Sequence, residues 1–165
     1  MSDSSTYVLE RDFDSHSDLV WKAWTEADLV SHWYGPGVET VIHELDVRPG
    51  GQWLLEMRMG GASHYQRLDY VAVDPGVSLS AIQFVTDENW NPIPNPMMPD
   101  WPRQVRLELH LEGSGNKTSM RMTWAPHDAT EDERNCFSRA VGNMDKGWQA
   151  GMDLLAQQLE SLERS

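Results

Sequence analysis

Apolar and polar residues alternate with a period of two over positions 38–125, and the chain then switches to helical spacing. That switch constrains the fold more than any other feature. Consecutive short strands joined by tight turns form an antiparallel meander. The long amphipathic helix that follows must bury its apolar stripe, and one face of the sheet is the natural partner.

The strand reading begins at 7–13 and resumes after position 37. Val41, His43, Leu45 and Val47 are expected to share a face of the second strand, and Trp53, Leu55, Met57 and Met59 a face of the third. The fourth strand is predicted over 65–73 and the fifth over 77–86. Val105, Leu107, Leu109 and Leu111 mark the sixth, and Thr118, Met120, Met122 and Trp124 the seventh. Pro49-Gly50-Gly51, Gly60-Gly61, Asp74-Pro75-Gly76 and Gly113-Ser114-Gly115-Asn116 supply the turns. Ser15-x-x-Asp18 and Thr25-x-x-Asp28 read as caps of two short helices, with Val20, Trp21, Trp24, Leu29, Val30 and Trp33 inward. Gly35-Pro36-Gly37 ends the second of them.

Thr130-x-x-Glu133 is a capping box for the last helix. Its stripe is Phe137, Val141, Met144, Trp148, Met152, Leu155, Leu159 and Leu162. Unbroken, such a helix spans roughly 50 Å at 1.5 Å per residue, so a bend is expected. Gly142, Gly147 and Gly151 mark where it bends or where a backbone or ligand comes close. The leucine-rich last third reads as plain core. Met144, Trp148 and Met152 form a softer stretch suited to a cavity wall.

Positions 89–102 hold Pro92, Pro94, Pro96, Pro99 and Pro102, which exclude a helix or an interior strand. The segment nevertheless carries Trp90, Ile93, Met97, Met98 and Trp101. A lid over a pocket and a plain cover for the sheet edge both fit this composition.

Function classes narrow by exclusion. A net charge of −13 repels phosphate backbones and anionic lipid, so neither nucleic-acid nor membrane binding is expected. No apolar run approaches the ~18 residues of a membrane helix. Met1-Ser2-Asp3-Ser4-Ser5 lacks the basic flank and apolar stretch of a signal peptide, and Cys136 is the single cysteine. A cytoplasmic protein with one domain over residues 1–165 is the expectation. The six histidines show no zinc half-site spacing, and no phosphate loop or nucleophile elbow is present, so neither metal nor cofactor is expected. His43 is the one histidine expected to face a cavity, where it would hold a ligand oxygen, move a proton, or be hydrogen-bonded as ordinary core. Tyr65, Arg67 and Asp69 share a face that is either the cavity or the outer surface.

A wider pattern connects these pieces. Phe13, Val20-Trp21-x-x-Trp24-Thr25, Trp33-Tyr34-Gly35-Pro36, Asp46-x-Arg48-Pro49-Gly50-Gly51-x-Trp53, Val73-Asp74-Pro75, Lys117-Thr118, Gly147-Trp148 and Leu154-Leu155 occur in order over nearly the whole chain. Together they resemble the bacterial proteins named after the activator of Hsp90 ATPase, in the larger START-like (SRPBCC) superfamily. The resemblance implies an α+β helix-grip fold: a curved antiparallel sheet of six to seven strands, two short N-terminal helices, and a long C-terminal helix enclosing a lipophilic cavity. It implies no single activity, since such folds serve carriers, receptors, cyclases and co-chaperones. Homodimers occur in the superfamily.

The leading expectation is binding of a small hydrophobic or amphipathic molecule. The expected wall is Trp33, Trp53, Leu55, Met57, Phe84, Met144, Trp148 and Met152, with Met97, Met98 and Trp101 as lid and His43 and Tyr65 as polar contacts. Trp124 is assigned to ordinary core. A cyclase- or dehydratase-type enzyme acting through His43 and an Hsp90-type protein partner are the alternatives. Whether any reaction is catalysed stays open, with binding favoured.

Overall fold

The computed structural model describes residues 6–35 and 37–164. The segment read for a signal peptide and Pro36 of the helix stop lie outside the described residues. The described elements run β1 (Tyr7–Phe13), α1 (Ser17–Thr25), α2 (Ala27–Trp33), β2 (Glu39–Leu45), β3 (Gln52–Met59), β4 (Ala62–Asp74), β5 (Ser78–Thr86), β6 (Val105–Ser114), β7 (Lys117–Pro126) and α3 (Glu131–Arg164).

The strands form one antiparallel sheet in the order β1-β7-β6-β5-β4-β3-β2. β1 pairs with β7, so the N-terminal strand returns to the far edge while β2 to β7 follow as a meander. α3 lies against the concave face, and α1 and α2 pack against its C-terminal part. This is the helix-grip arrangement the resemblance implies.

Alternation builds the core. Leu107, Leu109 and Leu111 of β6 sit opposite Trp124, Met122 and Met120 of β7, all on the concave face. Leu55, Leu109, Met122, Phe137, Met152 and Leu155 are fully enclosed. Burying such side chains contributes about 1.5–3 kcal/mol each, which holds sheet and helix together. Tyr7 donates to Asp145 at 2.8 Å and Arg11 to Asp153 at 2.7 Å, tying β1 to α3, and Gln158 donates to the Leu29 carbonyl, tying α3 to α2.

The caps divide. Thr130 and Glu133 form a reciprocal capping box: the Glu133 N–H donates to the Thr130 hydroxyl at 3.1 Å, and the Thr130 N–H to Glu133 Oε1 at 2.9 Å. The two shorter caps need correction. His16, not Ser15, caps α1, its Nδ1 accepting from the Asp18 N–H. Ser15 is buried instead, its carbonyl accepting from Thr118. The Thr25 hydroxyl turns back to the Trp21 carbonyl, leaving Glu26 at the start of α2 with no side-chain cap. α3 runs for 34 residues without interruption in its helical assignment, and of the three glycines Gly147 and Gly151 line a groove beside the sheet.

No helix among the described residues is long and apolar enough to cross a membrane.

Candidate ligand groove

A groove runs between the concave face and the middle of α3. It has two chambers, of about 300 and 390 Å³. Gln66 of β4, Gln83 of β5, Trp124 of β7 and Met144 of α3 line both, so they form the waist between them. The first chamber is completed by Trp33, Tyr34, Gly35, Val38, Met57, Gly147, Trp148 and Gly151. The second is completed by Val85, Asn95, Met98, Trp101, Val105, Ala140 and Asn143. Both volumes suit a small organic ligand.

Aromatic rings form a continuous belt around the groove. Trp148 stacks against Trp24 at 6.3 Å between centroids and meets Tyr34 and Trp124 edge-on at 5.8 and 6.1 Å. Trp124 continues to Trp101 and Phe137. The rings rest on α1 and α2, where the Trp33 indole donates to the Ala23 carbonyl at 2.9 Å. Gly35 follows α2 with φ +68°, and a Cβ there would stand 2.8 Å from Met57 Cε and 2.9 Å from Thr40 Oγ1. Only glycine combines that backbone angle with such close packing.

The waist is polar but uncharged. The Trp124 indole donates to Gln83 Oε1 at 2.9 Å. Because an indole N–H only donates, it fixes the Gln83 oxygen toward Trp124 and the amide nitrogen away from it. That nitrogen donates to Gln66 Oε1, and Gln83 lies beside the Tyr34 hydroxyl. Burial raises the Tyr34 phenol to about 12, with the bond to Gln83 opposing the rise. Tyr34 therefore stays protonated near neutral pH. No described residue of either chamber carries a charge at that pH.

The predicted site residues separate into several groups. Trp33, Met57, Met144 and Trp148 line the first chamber, and Met98 and Trp101 the second. Trp53, Leu55 and Met152 stand one layer behind, sealed in the core. Met97 is 71% exposed and reaches neither chamber. Of the residues read as a lid, Met98 and Trp101 line the second chamber together with Asn95, and Met97 does not.

His43, Tyr65 and Phe84 lie on the opposite, convex face. The register slips between Ile42 and Glu44: Val41 pairs with Glu56 on the convex side and Leu45 with Trp53 on the concave side, so Val41 and His43 do not share the face of Leu45 as expected. Its Nε2 lies 3.0 Å from Glu56 Oε1. Tyr65 pairs with Thr86 and Phe84 with Arg67, the Arg67 guanidinium lying 4.7 Å from the Phe84 ring. The same register turns Gln66 and Gln83 inward. Amide side chains mid-strand gave no apolar signal, which is why they were missed. Trp124, assigned to core, belongs to both chambers. Its alternation with Met120 and Met122 had placed it on the correct face.

Convex-side groups pair among themselves. Ser63, His43 and Arg58 hold Glu56 down to about 2, through the Ser63 bond first and then the His43 and Arg58 bonds. Arg67 forms a bidentate pair with Asp69 at 2.9 and 3.1 Å and donates to the Trp90 carbonyl. Trp90, at φ +66°, packs edge-on against His43 and Tyr65. Asp46 and Arg48 pair at the β2–β3 turn at 2.7 Å.

The family model described as "Activator of Hsp90 ATPase homolog 1-like protein" matches residues 14–160. No curated protein matches the chain. Solved structures share its fold over nearly the whole length. A protein from Arthrobacter aurescens has 16% identity and a TM-score of 0.80, with 98% of this chain and 90% of that one covered. A protein from Mycobacterium smegmatis has 15% identity and a TM-score of 0.78, covering 97% and 94%. One from Nitrosomonas europaea has 19% identity and a TM-score of 0.75, covering 100% of both. At these identities the likeness establishes the fold alone.

Proposed function

Because the chain belongs to the activator of Hsp90 ATPase homolog 1-like family, whose fold holds ligands or partners, we propose that it binds a small, uncharged, predominantly apolar molecule between sheet and α3. The observation that carries this reading is the wall itself: tryptophans, methionines and carboxamides around two joined chambers, with no charged side chain among the described lining residues. Burying an unpaired charge there would be strongly unfavourable, whereas apolar burial contributes ~25 cal/mol per Å² before the costs of association. Binding is favoured over catalysis by the same wall. Tyr34 is its single ionisable side chain among the described residues and is held protonated, while His43 is on the far face. The superfamily's cyclase-type chemistry would need a proton-transfer group that these residues do not offer.

The test uses N-phenyl-1-naphthylamine, a neutral probe that brightens in apolar surroundings. Wild-type protein is expected to bind it saturably. Gly147→Phe fills the first chamber from a position where an added Cβ meets nothing within 4 Å, and should abolish the signal while the protein stays folded by circular dichroism. Undiminished saturable binding in Gly147→Phe would place the probe elsewhere and overturn the reading. Mass spectrometry of gently purified protein, native and then denatured, would show any resident molecule as a mass lost on denaturation.

A further inference from the structure

The waist of the groove holds an arrangement that a purely apolar pocket does not need. Gln83 is 7% exposed, and its oxygen and nitrogen are both engaged, by Trp124 on one side and by Gln66 on the other. The donor-only Trp124 indole fixes the orientation of the Gln83 amide, and Gln83 in turn fixes that of Gln66. With the Gln66 oxygen taken by Gln83, its amide nitrogen keeps two N–H groups to donate. No described residue accepts from that nitrogen. The Tyr34 hydroxyl, held protonated by burial, keeps its proton to give. Gln66 and Tyr34 both line the first chamber. Gln83 thus holds Gln66 in its donating orientation, beside the Tyr34 hydroxyl.

We infer that the first chamber selects an uncharged ligand presenting a hydrogen-bond-acceptor oxygen, a ketone, ester or amide carbonyl, which Gln66 Nε2 and the Tyr34 hydroxyl receive while the surrounding rings enclose its apolar body. This inference rests on the proposed binding function and adds the chemistry of the ligand's polar atom. A hydrocarbon of the same shape leaves two donors desolvated and unmet. A carboxylate satisfies them but carries a charge into a wall with no described cation. The neutral carbonyl compound avoids both penalties.

Three rigid tricyclic molecules of near-equal shape test this by displacement of N-phenyl-1-naphthylamine: fluorene, 9-fluorenone and fluorene-9-carboxylate. The expected order is fluorenone first, with a midpoint about five- to tenfold lower than that of fluorene, the range set by one net neutral hydrogen bond. Fluorene-9-carboxylate should be weaker than fluorenone. Gln66→Leu should remove the preference for fluorenone while fluorene displaces as well or better, and Tyr34→Phe, which keeps its ring, should reduce that preference. Equal midpoints for fluorene and fluorenone in wild type, or a preference that survives in both variants, would overturn the inference while leaving the groove's apolar binding intact. If the naphthylamine itself does not bind, the underlying binding reading fails as well.

Discussion

β3 carries two environments on alternate residues. Glu56 points to the convex side and accepts hydrogen bonds from Ser63 and Arg58, with His43 at 3.0 Å from its other oxygen. Met57, the next residue, points to the concave side and lines a groove with no described charge. The convex face offers charges and satisfies them locally, Arg67 with Asp69 and Arg58 with Glu56 and Glu39. The concave face excludes charge and concentrates aromatic rings and carboxamides. Polar groups that are fully paired have little left to offer a ligand. Unpaired donors beside an apolar space have a great deal. The contrast assigns bracing to the convex face and leaves the concave face for the proposed binding.

The contrast is tested most strongly in the core. Leu109→Ala, at a fully buried concave position, should lower unfolding free energy by about 2–5 kcal/mol in urea titrations. Phe84→Ala, at a half-buried convex position, should lose less. An equal or larger loss at Phe84 would mean that the convex face is a second core and not a brace.

A smaller effect separates the faces by pH. The Glu56 carboxyl is depressed to about 2 when folded, below the ordinary unfolded value of ~4.3. The sign follows directly: its stabilisation is full above the unfolded value and disappears as pH falls toward about 2. Glu56→Gln should flatten that part of the fall in melting temperature, read as the difference between wild type and variant from pH 5 to 2. Groove binding at neutral pH should be unchanged. If the two melting curves stay parallel throughout, the convex network does not stabilise the fold through this carboxylate.

The architecture was legible because it depends on repeated signals. Leu107, Leu109 and Leu111 announce a strand, and Thr130 with Glu133 announces a helix start whose two hydrogen bonds both form. The site was legible only where it is apolar: Trp33, Met57, Met144 and Trp148 were found through strand and helix spacing. Its polar waist was not, because Gln66 and Gln83 break the apolar alternation that identifies an inward face. His43 was placed wrongly for a different reason. A bulge shifts every following residue by one position, and nothing in the residues around 43 marks where the extra residue falls. Phe84 shows the converse limit, an aromatic residue stabilised on the outside by a guanidinium from the next strand.

The finest test of the comparison lies in two glycines of α3. Gly142 and Gly147 both sit in an uninterrupted helix, and an added Cβ at either meets nothing within 4 Å. Each weakens the helix by roughly 0.5–1 kcal/mol relative to alanine, so Gly142→Ala and Gly147→Ala should both raise stability by about that amount. They differ in where they stand, because Gly147 lines the first chamber and Gly142 lines neither. Gly147→Ala places a methyl group in the space a ligand would fill, so its gain in melting temperature should come with weaker N-phenyl-1-naphthylamine binding. Gly142→Ala should gain the same stability and bind as wild type does. If both variants bind equally well, Gly147 does not hold the groove open. If Gly147→Ala alone fails to gain stability, the added methyl meets strain that the open geometry does not contain. The expected split, stability rising in both and binding falling in one, would identify Gly147 as a residue that weakens the helix and keeps space open beside the concave face.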